Sequence, residues 1–579
     1  MKYIFNLFLC FVASQSLAQS IEPLDPKKPK DNAHWQQITP NTYISFVDPD
    51  FSLSKHQIPT ESQILKTWKG EGWKNETIHT QLAFWNNLSK YNGQKVELIT
   101  SDLTFGKSRI KKENITLSPI SYVISDDPSK LKSGCAISVI LDSTLVADRI
   151  EQTTHFQYQE NETRPLWLSI NIPSDAKAGL YNGNLKLNIG EGKSKKTLTL
   201  PYTVQVANRT LTSAKDWEFH LDLWQNPYSS ARYYGVEPFS AKHFELIKPS
   251  MQKLAAAGQK NITTTLIFDP WNSQTYDKYD SMIKWVKKQD GTWSYDYTDF
   301  DKWVNFMHEI GIDKYINCYS MIPWNLSFQY FDDGSNKNEF LKAKPNEDAY
   351  QQHWLPFLKD FAAHLKSKGW FDKTTIAMDE RPMKDMQAAT AIIKNADKDF
   401  KISLAGYYHP ELSDDIIDYS IPFHSTMADD ILKARKEKGY KTTFYTCCSE
   451  IFPNTFTSSG NHEPTWLMIN AVQRGFDGYL RWSFDNFNKS PYTDTRFGPF
   501  AAGDTYLIYP KNETSIRLEK LIDGIQQVEK IKILKKDLPA GSAGLTDLDN
   551  QINNFNNKNV NRDLIPSQVK NLKKSLNSL

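Results

Sequence analysis

From residue 211 onward one rhythm repeats: a helix-like segment stops on a glycine, and a short apolar strand follows. Gly258 precedes the run 261–268, Gly311 precedes 315–319, and Gly369 precedes 374–378. Gly439 precedes 442–445, and Gly475 precedes 478–482. A glycine just past the last helical turn accepts the left-handed conformation that ends a helix, so five repetitions mark βα units. The apolar runs 219–224, 402–406 and 419–423 bring the strands to eight. Amphipathic segments fit between and after them, as at 300–309, 350–366 and 516–533. Eight such units over about 320 residues predict a (β/α)₈ barrel. A doubly wound sheet has the same rhythm, because a sequence does not show closure.

Ahead of this region the pattern is strand-like. Runs at 96–100, 166–170 and 183–189 alternate in facing, 137–141 is more continuously apolar, and 198–206 closes the series. Pro173, Gly179 and an Asn182-Gly183 turn predict a hairpin entering the last strands. Short strands at this spacing predict a β-sandwich, read as a packing partner for the barrel in preference to a glycan-binding module. The expected architecture is therefore multidomain, with an N-terminal β-sandwich (19–210) and a barrel (211–536). An Asn- and Lys-rich tail with a short helix (537–579) follows.

Residues 1–18 have the form of an export signal: Lys2, the apolar run 4–13, and small residues at 16–18. Such a chain is exported, to a periplasm or the exterior. No other stretch approaches membrane length. A net charge of +2, from 69 basic and 67 acidic residues, gives no reason to expect nucleic acid or an anionic membrane as partner. Cys135, Cys318, Cys447 and Cys448 are too few for a disulfide framework and lack zinc spacing, so unpaired thiols are expected. No phosphate loop, nucleotide fingerprint or Ser-His-Asp order occurs, and neither metal nor cofactor is expected. Nothing in the sequence sets an oligomeric state.

In such barrels the site forms at the C-terminal strand ends. In order, these ends carry Asp222 and Trp224, Asp269 and Trp271, Tyr319 and Trp324, then Asp379 and Glu380. Tyr407, Tyr408 and His409, then His424, Tyr445 and Glu450, and finally Trp482 and Asp485 follow. Flat rings beside acids suit a neutral, ring-shaped, hydroxyl-rich ligand. Trp224, Trp324, Tyr407, Tyr445, Trp482 and Asp485 are the expected substrate contacts, although any one could equally be a packed or rim residue. The centre is the fourth strand, where an apolar run ends in Asp379-Glu380-Arg381-Pro382. Neighbouring residues of a strand face opposite sides, so both acids serve one substrate only where the strand ends and the second reaches over the rim. Side by side, they suit a sugar whose own 2-acetamido oxygen attacks C1. Asp379 would hold the amide N–H, and Glu380 would protonate the leaving oxygen and then activate water. Tyr445 would donate to the acetamide oxygen, and Trp482 would wall its methyl group. A conventional pair, Glu380 with Glu450 as nucleophile, and a non-catalytic glycan-binding barrel remain open.

The Met378–Pro382 strand end resembles that of glycoside hydrolase family 123. So do the 178–183 stretch Ala-Gly-Leu-Tyr-Asn-Gly, the 503–510 segment Gly-Asp-Thr-Tyr-Leu-Ile-Tyr-Pro, and Ser515 to Glu519. This resemblance covers nearly all of the chain after the export signal. It implies a retaining β-N-acetylgalactosaminidase acting on terminal β-linked GalNAc of glycosphingolipid-type glycans. It also implies that Asp379 stabilises the amide nitrogen and that Glu380 is the acid/base.

Overall fold

The computed structural model describes residues 22–27, 33–127, 143–558 and 560–579. The expected export signal, the strand expected at 137–141, Cys10 and Cys135 lie outside the described residues.

The N-terminal region is rich in strands, arranged as two sheets. One runs Ile64–Leu65, Thr42–Val47, Thr77–Asn86, Glu162–Asn171, Ile115–Asp126, Ser143–Ile150 and, from far along the chain, Thr514–Ser515. The other runs His155–Gln157, Lys95–Thr100, Gly179–Ile189, Lys196–Thr210 and Lys69–Lys74. Alternation explains their packing: Leu166, Leu168 and Ile170 of the first sheet share one apolar core with Leu185, Leu187 and Ile189 of the second. The hairpin expected at Asn182-Gly183 is not there. Both residues lie inside a strand, and the chain reverses instead between Ile189 and Lys196. Gly183 serves close packing, since a Cβ there would meet Leu103 Cδ2 at 2.5 Å.

All eight expected parallel strands form, and they pair in a nearly closed barrel. In chain order they are His220–Leu223, Asn261–Thr265, Tyr315–Tyr319, Thr374–Asp379, Lys401–Ala405, Ile416–Pro422, Lys441–Tyr445 and Gly478–Arg481. The first and second strands meet through a bridge between Leu221 and Gln259 and through side chains: Gln259 Oε1 accepts the Leu223 N–H at 2.9 Å, and Gln225 Oε1 accepts the Thr263 N–H at 3.0 Å. The five glycines that end helices all have positive φ, for example 101° at Gly311. The barrel interior is polar and hydrogen-bonded. Asn317 donates to Asp222 at 3.2 Å and accepts from Thr375 at 2.7 Å, and Thr375 meets Ser403 at 3.0 Å. Thr375 and Ala377 therefore face the interior, whereas Ile376 and Met378 join the apolar layer beneath the helices.

Two features lie beyond the sequence reading. A four-stranded sheet (Trp293–Asp296, Lys284–Lys287, Ser327–Asp332, Lys337–Lys342) fills the loops after the second and third barrel strands. Its Trp285 stacks on Phe357 at 4.1 Å. After Lys536, the helices Ala543–Asn553 and Ile565–Ser578 bury Leu548, Ile552, Val569, Leu572 and Leu576 against the barrel core. The segment expected as a polar tail is a packed helical pair. Among the described residues, no helix is long and apolar enough to cross a membrane. Cys448 is disulfide-bonded, contrary to the expectation of unpaired thiols, while Cys318 and Cys447 are free.

Candidate active site

The fourth strand ends at Asp379, and Pro382, which has no N–H, opens the turn into the helix Met383–Ala396. Asp379 continues the inward parity of Thr375 and Ala377 and stands at the barrel mouth, its side chain 14 % exposed. Burial raises its pKa, and the Arg381 guanidinium, 3.5 Å away, pulls the other way. The Trp271 indole N–H also favours the Asp379 anion. Glu380 has the opposite parity but lies past the strand, so its side chain swings back over the rim. There Oε2 accepts the Tyr407 N–H at 2.8 Å, and Oε1 lies 3.6 Å from His409 Nε2. Gly406 makes this approach possible, since a Cβ there would stand 2.5 Å from Glu380 Cβ. The two acids are thus neighbours in sequence and differently placed: one sunk in the mouth, one at its edge and 32 % exposed.

Both line one cavity of about 780 Å³ at the C-terminal end of the barrel. Trp224, Trp324, Tyr445 and Trp482, expected as substrate contacts, line it as well. Its floor is aromatic: Trp224 packs 4.4 Å from Tyr319 and 5.3 Å from Trp271 between ring centroids. Trp324 is 56 % exposed and carries Arg381 stacked over its ring at 4.2 Å. This joins the loop after the third strand to the turn that carries the two acids. Burial pushes the Tyr445 hydroxyl far above its ordinary range, so it stays a donor. The Trp482 indole N–H donates to Asp504 at 3.1 Å, which fixes the plane of that wall.

Two expected contacts are not part of this lining. Tyr407 is 58 % exposed and contributes its backbone N–H, not its ring. Asp485 is turned inward, 3 % exposed, and accepts the Asn226 N–H at 2.7 Å. It lies three residues past Trp482 in a loop that doubles back, where strand parity no longer applies. Glu450 is likewise buried, its Oε2 accepting the Cys447 N–H at 3.0 Å, and it does not line the cavity. Conversely, Gln274, Cys447, Cys448 and Phe500 line the cavity without having been expected there. Phe500 stands 18 residues beyond Trp482 in sequence and 5.1 Å from it in space, with no local signal to announce it. Among the described residues no group of three or more His, Cys, Asp or Glu could hold a metal ion.

Inward-facing rings, a dipolar wall and two carboxylates at different depths suit the cleavage of a bond to a sugar ring. Comparison with known proteins agrees. Residues 224–534 match the model of the glycoside hydrolase 123 catalytic domain, and residues 46–189 match that of the glycoside hydrolase 123 N-terminal domain. The structure of a family 123 glycoside hydrolase from Clostridium perfringens, studied for glycolipid glycan hydrolysis, superposes with a TM-score of 0.83. It has 29 % identity over 93 % of this chain and 97 % of that one. A β-glucuronidase from Bacteroides uniformis matches 78 % of this chain and 50 % of its own at 9 % identity, with a TM-score of only 0.29. No curated protein matches by sequence. With its catalytic domain matched over more than half its length, the chain belongs to glycoside hydrolase family 123.

Proposed function

We propose that this glycoside hydrolase is an exported, retaining exo-β-N-acetylgalactosaminidase that removes terminal β-linked GalNAc by substrate-assisted catalysis. The observation that carries the reading is that Asp379 and Glu380 face one aromatic-floored cavity from adjacent positions, while Glu450, the nucleophile of a conventional pair, is buried and engaged by the Cys447 N–H. The acetamido oxygen of the bound sugar attacks C1 as the C1–O bond to the aglycone breaks. Asp379 accepts the amide N–H and steadies the charge of the oxazoline-type intermediate, while Arg381 favours its carboxylate form against the burial that raises its pKa. Glu380 gives its proton to the departing oxygen, then takes one from the water that reopens the ring at C1, so configuration is retained. Tyr445 donates to the acetamide oxygen, and Trp482 confines its methyl group.

The galacto configuration rests on the resemblance carried by the Met378–Pro382 strand end, and a glycolipid-type substrate on the Clostridium perfringens relative. The strand-rich domain, read as a β-sandwich, is the barrel's packing partner. The test uses aryl β-GalNAc, aryl β-GlcNAc and the 2-hydroxy aryl β-galactoside in parallel. Turnover is expected on the first, with near-total loss on the third and competitive inhibition by GalNAc-thiazoline. Equal turnover of the acetamido and hydroxy sugars sinks participation by the substrate, and the loss of all turnover in Glu450→Gln restores the conventional pair.

A further inference from the structure

The loop after the eighth barrel strand, about residues 483 to 513, carries Phe500 into the cavity and supplies Asp504 to the Trp482 indole. Asp504 also pairs with Arg481 at 2.7 Å, both fully buried. The loop is irregular: between Arg481 and Thr514 it contains only a 3₁₀ turn and isolated bridges. Part of what fixes it comes from the other domain. Ile124 exchanges backbone hydrogen bonds with it, its N–H donating to Thr493 O at 2.8 Å and its C=O accepting from Thr495 N at 3.0 Å. Asp126 accepts the Ala502 N–H at 2.7 Å.

A third attachment is a buried ion pair. Arg517, in the first turn of the helix Ile516–Asp537, donates through Nη1 to the carbonyls of Thr455, Gly503 and Tyr506, each at 2.9 Å. Its Nε and Nη2 grip Asp148 of the strand Ser143–Ile150 at 3.0 to 3.1 Å, and the Tyr509 hydroxyl donates to the same carboxylate at 2.6 Å. Gly503 has a φ of 78°, and a Cβ there would lie 3.0 Å from Arg517 Nη1, so the glycine before Asp504 makes room for the guanidinium. A cation that gathers three carbonyls needs its counter-ion: without Asp148, a fully desolvated charge would sit beneath the segment that ends at Asp504.

We propose that Asp148, on the strand-rich domain, is a positioning residue for the catalytic cavity, acting through Arg517 and the 483–513 loop on Trp482 and Phe500. The N-terminal domain is then a working part of the cavity wall and not a detachable module. This rests on the cavity being the site of glycoside hydrolysis, and not on which sugar it takes.

A second buried interdomain ion pair gives the control. Lys530 meets Glu76 at 2.6 Å on the same helix, 13 residues beyond Arg517, or about 20 Å along its axis. Full-length Asp148→Asn and Glu76→Gln should both lower thermal stability. Only Asp148→Asn should lower kcat on an activated aryl β-GalNAc, by about tenfold to a hundredfold at a temperature where both are folded. Asp126→Ala, which breaks no ion pair, should lower it several-fold. In a double-mutant cycle, Asp148→Asn should cost much less on a Trp482→Phe background than in the wild type. Amide hydrogen exchange across 493–509 should quicken in Asp148→Asn and Asp126→Ala and stay unchanged in Glu76→Gln. Equal kcat in Asp148→Asn and Glu76→Gln, or additive losses in the cycle, would overturn the proposal. If the wild type cleaves no aryl N-acetylhexosaminide, the reading of the reaction fails. The exchange measurement then decides this proposal: unchanged exchange at 493–509 overturns it and faster exchange supports it.

Discussion

The fourth and eighth barrel strands both send side chains into the cavity, but they hold them in opposite ways. At the fourth, most of what orients Asp379 and Glu380 is close at hand. Arg381 is the next residue, the strand stops at a proline turn, and the neighbouring fifth strand supplies Gly406 and the Tyr407 N–H. At the eighth, Trp482 takes its orientation from Asp504, 22 residues on, within a loop tied to the first 150 residues of the chain. The first arrangement is rigid because it is local. The second draws part of its rigidity from the docking of two domains, so a substitution far from the cavity can reach it more readily through the eighth strand than through the fourth.

The largest effects should come at the fourth strand. Glu380→Gln should lower kcat/KM by about 10²- to 10⁴-fold on aryl glycosides with poor leaving groups, and much less on activated ones, because protonation matters least when departure is easy. A leaving-group series measures this, and a uniform loss across it would remove Glu380 from the acid role. Next comes Gly406→Ala. The added methyl would stand 2.5 Å from Glu380 Cβ and 3.1 Å from Oε2, so the carboxylate must move. A loss of about tenfold to a hundredfold in kcat is expected, with about 1–3 kcal/mol of stability, read from steady-state kinetics and denaturant unfolding. Wild-type kinetics in that variant would break the comparison, since the fourth strand would then not depend on its immediate neighbour.

The same contrast explains what the sequence made legible. All eight barrel strands could be placed, because each forms a short apolar run and five of them follow a helix-ending glycine. The acid pair could be placed too, because parity and the Arg-Pro turn together decide where Asp379 and Glu380 point. Trp224, Trp324, Tyr445 and Trp482 were found by the same rule, since each is at, or a few residues past, a strand end. The rule failed where the chain leaves the barrel. Asp485 follows the eighth strand as closely as Trp324 follows the third, yet the loop turns it toward Asn226. Phe500 and Asp504 sit in a loop whose neighbouring residues Thr493, Thr495 and Ala502 are held by Ile124 and Asp126, more than 300 residues earlier, and no window of sequence contains both sides of those contacts. The packed C-terminal helices escaped for another reason. Their apolar residues do recur at helical spacing, at Ile565, Val569, Leu572 and Leu576, but Lys and Asn between them gave the segment the composition of a tail.

The smallest effect on activity is expected at Asp485, and it is the one that most sharpens the contrast. Burial pushes its carboxyl up to about 7, the Asn226 N–H opposing only in part. An unfolded chain returns it to roughly 4. Below that value both states hold the proton, and the residue's contribution to stability is fully present. Between about 4 and 7 the folded state keeps a proton that the unfolded state releases, so stability falls as pH rises, and the contribution is lost on passing through about 7. Asparagine at this position stays neutral and can still accept the Asn226 N–H, so Asp485→Asn should erase that slope. Thermal midpoints of variant and wild type should nearly coincide at pH 4 and separate in favour of the variant by pH 8. Turnover should stay within about twofold, because the side chain touches neither the cavity nor Trp482. A loss of activity on the scale of Glu380→Gln would instead return Asp485 to the site, and would mean that the eighth strand delivers two functional side chains just as the fourth does.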